Sequence, residues 1–146
     1  MEIEQENFLI STDNSCLDLV LIHSFLTESY WAKGIGIEVV KKSIENSLCF
    51  GVYQQGQQVG FARVITDYAT FAYLADVFIL PNKRGKGLSK SLMEAIKAHP
   101  QLQGLRRWML ATSDAHGLYK KYGFESVTNP ENLMVILDSN VYQKKD

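Results

Sequence analysis

Residues 70–80 read TFAYLADVFIL, eleven positions holding one charge, Asp76, among aromatic and aliphatic side chains. The run is too short to cross a membrane, which takes about 20 residues. Its make-up, long, aromatic and β-branched, reads as a strand. At Pro81 the period changes. Leu88, Leu92, Ala95 and Ile96 then share a helical face, with Lys90, Glu94 and Lys97 opposite. Strand, glycine-containing turn and helix form the fixed point for reading the remainder.

Upstream, LCFGVY (48–53) and VGFARVIT (59–66) flank a turn near Gly56, and with 70–80 they predict an antiparallel meander. Residues 2–10 alternate loosely and predict a first strand. Ser15 is the expected cap of a helix that Cys16 opens, with Leu17, Val20, Leu21 and Phe25 at helical spacing. A break at Tyr30 and Trp31 precedes a second helix over 36–46, with Val40 and Ile44 on one face. Downstream, Pro100 closes the third helix. A strand over 105–112, a short helix over 114–121 stopped at Gly123, and last strands over 124–127 and 133–137 follow. The tail VYQKKD is expected to fray. The fold class is therefore α/β (α+β): one domain over 1–146, with a mixed, mostly antiparallel sheet of about seven strands and four helices on its faces.

Fifteen Lys and Arg against sixteen Asp and Glu give a net charge of -1, which argues against a grip on nucleic acid. The opening MEIEQENF is acidic and lacks an apolar leader, so a cytoplasmic location with no membrane partner is expected. Cys16 and Cys49 are far apart, and His23, His99 and His116 are scattered, so no metal-ligand spacing exists. Both cysteines are expected to be buried as small hydrophobes.

Chemistry concentrates at PNKRGKGLSK. Arg84, Gly85, Lys86, Gly87, Leu88 and Ser89 lie at or just before a helix start, where free N–H groups and the helix dipole favour an anion. Gly85 and Gly87 permit close approach, and Arg84 and Lys86 add charge. The direct inference is a phosphate-bearing ligand; the plainer alternative is an ordinary basic helix start. A Walker loop (G-x-x-x-x-G-K-[ST]) is absent. The dinucleotide fingerprint G-x-G-x-x-G fails at Lys90 and comes too late in the chain.

The segment resembles the pyrophosphate signature [RQ]-x-x-G-x-[GA] of the GNAT superfamily of acyl-CoA-dependent N-acetyltransferases, with Arg84 first, Gly87 fourth and Ser89 in the usual Gly/Ala place. GLYKKYGF resembles the second signature, L-Y-x-x-x-G-F, through Tyr119, Gly123 and Phe124. The element order is similar too, so the resemblance covers nearly the whole chain. Thr112 stands where many members have an Asn on the cofactor arm. The resemblance implies acetyl-CoA (coenzyme A) as cofactor. Its pyrophosphate would lie on the amides of residues 84–89. Its arm would pair with backbone near Phe78 and Ile79, one of whose amides would hold the thioester oxygen. Relatives dimerise through C-terminal strands; residues 133–137 suit such a homodimer and equally suit completing the sheet.

Acetyl transfer to an amine poses two proton problems. An alkyl amine is neutral only about once in 2,500 molecules at pH 7, and the leaving thiolate needs a proton. Tyr119 is the expected acid from the family position, with packing as the alternative. Asp76 leads as base, against substrate anchoring or a structural salt bridge; His116 is second. Tyr30, Trp31, Arg63 and Tyr73 are candidates for the acceptor wall, and Asp67 could face the same cleft. The expected function is direct acetyl transfer to a primary amine of a small or amino-acid-like molecule. The alternatives are protein or peptide acetylation, or a non-catalytic acyl-CoA sensor.

Overall fold

The computed structural model describes residues 1–5 and 7–143. In chain order the elements are β1 (Glu2–Gln5), β2 (Phe8–Ser11), α1 (Leu19–Thr27), α2 (Ile37–Glu45), β3 (Leu48–Gln54), β4 (Gln57–Thr66), β5 (Phe71–Ile79), α3 (Leu88–Ala98), β6 (Arg107–Met109) and α4 (His116–Lys120). The strands lie side by side in sequence order. Every neighbouring pair is antiparallel except β5 and β6, which are parallel. Among the described residues no helix is long and apolar enough to cross a membrane.

Period-2 alternation sends neighbouring residues of the sheet into two different layers. On one side Phe50, Val52, Val64, Ala72 and Leu74 pack with Leu92, Met93 and Ile96 of α3. On the other, Cys49, Phe61 and Phe78 pack with Ile22 and Leu26 of α1 and Val40 and Ile44 of α2. The strand pattern of β5 changes parity part-way. Ala72 and Leu74 face α3, but beyond Ala75 it is Val77 and Ile79 that do so, while Phe78 turns to α1. One inserted residue causes this. Arg63 pairs with Ala75 and Phe61 with Phe78, so Ala62 of β4 faces two residues of β5, Asp76 and Val77. Asp76 takes φ +55°, the left-handed region, to accommodate the bulge.

The meander, α2 and α3 follow the sequence expectation; the start of α1, the length of β6 (three residues, where 105–112 is expected) and the ends of the chain differ. The single strand expected over 2–10 is a hairpin, β1–β2, with Glu6 outside the described residues. Among the described residues the sheet has six strands, because neither 124–127 nor 133–137 is a strand. Phe124 instead packs edge-on against Trp108 and Tyr119. Ser15 does not cap a helix. Asp13 accepts from Ser15 N at 2.9 Å in a short 3-10 turn, and Asp18 caps α1 by accepting from Leu21 N at 3.0 Å. Cys49 is buried as expected, but Cys16 sits in that turn and is exposed. Of the tail, Val141–Gln143 form a turn beside Gly34, and residues 144–146 lie outside the described residues.

Asp67 holds the β4–β5 turn rather than facing the cleft. Its carboxylate accepts from the N–H groups of Thr70 (2.8 Å), Ala69 (2.9 Å) and Phe71 (3.2 Å), and from Thr70 Oγ1 (2.7 Å). These bonds, Thr70 N–H first, hold its pKa well below the usual carboxylate range. A depressed folded pKa means that the contribution is complete above the unfolded value, about 3.9, and disappears as pH falls through the folded value. Asp67→Ala is therefore expected to lower the Tm at pH 7, and the gap to wild type should close as melts are taken below about pH 4.

Candidate active site

β5 and β6 pair only over Phe71–Tyr73 and Arg107–Met109, and then part. From Leu74 to Ile79 the far edge of β5 has no strand beside it among the described residues. A cavity of about 760 Å³ fills the fork, lined by residues 73–79 on one wall and by residues 110–115 with Leu118 and Tyr119 on the other. It reaches Arg84 and Ser89 as well as Tyr30 and Trp31.

At the Arg84–Ser89 turn the backbone is prepared for an anion. Gly85 and Gly87 have φ of +80° and +81°, and a Cβ at either would meet nothing within 4 Å. Glycine is required there for conformation and leaves open space. Among the described residues no side chain caps α3, whose first turn is entered at Gly87, and its first bond is Ser91 N to Gly87 O, 3.1 Å. The amides of Leu88, Ser89 and Lys90 precede that bond and have no helical acceptor. Leu88 is buried and anchors the turn beneath α3. Arg84 Nε donates to Ile79 O at 2.9 Å, tying the turn to the end of β5. Arg84 and Ser89 line the cavity; Gly85, Lys86, Gly87 and Leu88 shape the turn outside its lining.

Phe78 and Ile79 also line the cavity, but their side chains point into the core. Phe78 stacks on Phe25 at 3.9 Å between centroids, and Ile79 joins the α3 layer. What remains for a ligand is backbone. Leu80 N donates to Val59 O at 2.9 Å, so alternation turns the Ile79 N–H to the opposite edge, into the fork.

Asp76 is not a lone carboxylate. Arg63 Nε donates to its Oδ2 and Trp31 Nε1 to its Oδ1, both at 2.8 Å, and Arg63 Nη1 reaches Ser47 Oγ at 3.2 Å. The two partners of the ion pair are 17% and 10% exposed. Tyr30 crosses the fork, its hydroxyl accepting from Ser113 N at 3.3 Å. Tyr119 is 9% exposed, and burial, followed by the neighbouring Tyr30 and Asp114, pushes its phenol pKa up. Tyr73 lines the cavity where β6 departs. Thr112 lines it too, while its Oγ1 accepts from Asp114 N (3.3 Å) and Ala115 N (3.1 Å) and so holds the turn before α4. His116 is exposed and outside the lining. The Cys49 thiol is pushed up to about 12, chiefly by burial, and is no nucleophile.

Sequence reasoning missed Phe25, Val39, Leu110, Ser113 and Tyr142, all in the lining. Tyr142 had a visible cue, a bulky aromatic in a polar tail. The others are ordinary core or loop residues until the fork is known.

A GNAT-family acetyltransferase domain model matches residues 45–126, the span from the end of α2 through the fork, the turn and α4. A protein of Gibberella zeae that carries an acetyltransferase name is 32% identical over 138 residues, covering 79% of this chain and 77% of its own. A crystal structure of a GNAT-family protein from Xanthomonas campestris pv. campestris is 54% identical, with TM-score 0.93, covering 97% of this chain and all of that one. The fold is shared more distantly by a Clostridium acetobutylicum protein crystallised with acetyl-CoA: TM-score 0.64, 16% identity, 90% and 95% coverage. The chain belongs to the GNAT acetyltransferases, enzymes whose acyl donor is acetyl-CoA.

The ion pair at the bulge is directly testable. Asp76→Ala strands Arg63 without a counter-charge and Trp31 Nε1 without an acceptor, and should cost about 3 kcal/mol in urea unfolding. Adding Arg63→Met should cost less than the two single changes summed; an additive cycle would remove the pair as a unit.

Proposed function

We propose that the chain transfers the acetyl group of acetyl-CoA directly to the primary amine of a small or amino-acid-like acceptor. The observation that carries this is the unpaired β5 edge in the fork, which runs from the uncapped α3 turn towards Tyr119 and the aromatic residues Tyr30 and Trp31. The residues suit the donor. Arg84, Ser89 and the amides of residues 85–89 would hold its pyrophosphate, and the Ile79 N–H would donate to the thioester oxygen. Bound there, acetyl-CoA supplies an activated acetyl group.

Tyr119 would protonate the departing sulfur. Its raised pKa keeps the phenol protonated across the neutral range, so a proton is always present to give. Asp76, engaged by Arg63 and Trp31, better suits positioning of the acceptor wall than proton removal. The acceptor then reacts as its own neutral fraction. Tyr30 and Trp31 offer π faces that attract an ammonium during binding, which favours a compact amine. Among the candidates for base, His116 has the least geometric support, because it lies outside the lining.

Thiol release from acetyl-CoA across amines, amino acids, polyamines and peptides tests the reading. A free amine should be turned over, and Tyr119→Phe should lower kcat about 10²- to 10³-fold while the thermal shift given by acetyl-CoA persists. The acceptor kcat/KM should rise about tenfold per pH unit between 7 and 9, following the neutral amine fraction. An inflection near 6.5 would instead assign a histidine base. Turnover of peptides alone would move the acceptor to protein, and binding without turnover of anything would make the chain a sensor.

A further inference from the structure

The chain comes back to its cleft near the C-terminal end. Every described residue from 125 to 143 is exposed, yet the segment finishes in the 141–143 turn, packed on the α1–α2 connection. Gly34 makes the room: its φ is +83°, and a Cβ there would lie 3.1 Å from the Tyr142 carbonyl oxygen. The connection is itself held in shape, with Gly34 N donating to Thr27 O at 2.9 Å and Ile35 N to Ala32 O at 3.0 Å. Docked in this way, Tyr142 lines the cavity while staying 38% exposed. A large ring kept at a cavity wall rather than in the core leaves a face for a ligand to cover.

The neighbours of that ring say which ligand. From the α1–α2 connection and α2, Trp31, Ala32, Ile35, Val39 and Ser43 line the same cavity. Trp31 is fixed by its bond to Asp76 and by Tyr30, edge-on at 5.1 Å between centroids. The polar groups are already engaged: Ser43 Oγ donates to Val40 O at 2.7 Å, and Arg63 and Asp76 pair at 2.8 Å. Lys33 lies outside the lining, Arg84 belongs to the glycine turn and Asp114 to the approach to α4. Among its described lining residues, this end therefore offers aromatic and aliphatic surface. It presents no unpaired cation for a carboxylate and no unpaired carboxylate for a second ammonium. We propose that the C-terminal turn forms one wall of the acceptor subsite and that Tyr142 is its specificity-determining residue, selecting a primary amine on a short link to an aromatic or branched apolar body. This rests on the transferase reading above and narrows it, because amino acids and polyamines become the poorer acceptors. The apolar body lies against Tyr142 and Trp31, and the amine points along the fork to the thioester.

Initial rates with acetyl-CoA test this on 2-phenylethylamine, ethylamine, putrescine and glycine, each compared per neutral amine. 2-Phenylethylamine should have the highest kcat/KM. Tyr142→Ala should raise its KM about tenfold with little change in kcat, and Tyr142→Phe should restore the wild-type value, because the ring face makes the contact. The KM for acetyl-CoA should be the same in all three proteins. Calorimetry of 2-phenylethylamine binding to the coenzyme A complex reads the subsite without turnover, and Tyr142→Ala should weaken it by the same factor. Binding that Tyr142→Ala weakens, with no turnover of any amine, would sink the transferase reading and leave the subsite standing. Equal affinity in wild type and Tyr142→Ala, no recovery in Tyr142→Phe, no binding at all, or faster turnover of putrescine or glycine would each overturn the proposal.

Discussion

Between Ala75 and Phe78, β5 carries two residues opposite one in β4, and Asp76 adopts a left-handed backbone to fit them. Much of the active face follows from that insertion. It flips the parity of β5, so that Phe78 turns to α1 and Ile79 to α3, leaving backbone alone on the edge that borders the fork. A non-glycine residue at positive φ costs free energy and persists only where its surroundings fix it. Here the fixing is done by Arg63 from β4 and by Trp31 from the α1–α2 connection, each 2.8 Å from one Asp76 oxygen. The same network therefore holds the bulge, the Trp31 side of the fork and the end of the meander in one arrangement.

The fork has an independent cause. Parallel β6 is short and pairs with β5 only as far as Tyr73, after which the chain turns through Thr112 into α4. The Tyr30 hydroxyl joins the two arms through Ser113 N, so the opening is braced across its mouth. Around it stand three kinds of group from distant parts of the sequence: a glycine turn at its end, one amide from a strand edge, and a buried phenol from a short helix.

How much of this could be read beforehand follows the physics of each signal. The three-run meander and the amphipathic helices α2 and α3 were legible because periodicity reports which side is buried. The glycine turn was legible because two glycines and two basic residues precede an amphipathic helix; the left-handed φ of Gly85 and Gly87 came with the structure. Asp76 was visible as the lone charge in an apolar run, but its bulge was not, because an inserted residue leaves no mark in composition. Asp13 and Asp18 took the capping roles expected of Ser15, since several polar residues competed within a few positions. The last two strands failed for a different reason. The run 133–137 is apolar enough to be read as a strand, but composition does not supply a neighbour to pair with, and the segment stays exposed.

In the proposed site the β5–β6 fork and the Arg84–Ser89 turn would hold acetyl-CoA together. Titrating acetyl-CoA into isotope-labelled protein and following backbone amide shifts tests it most directly. The largest shifts should fall on Ile79, on residues 85–89 and around Thr112, saturating together with one Kd. Shifts centred on a second cavity, between Phe8, Tyr53 and Gly56, or shifts at the turn without any at Ile79, would contradict it.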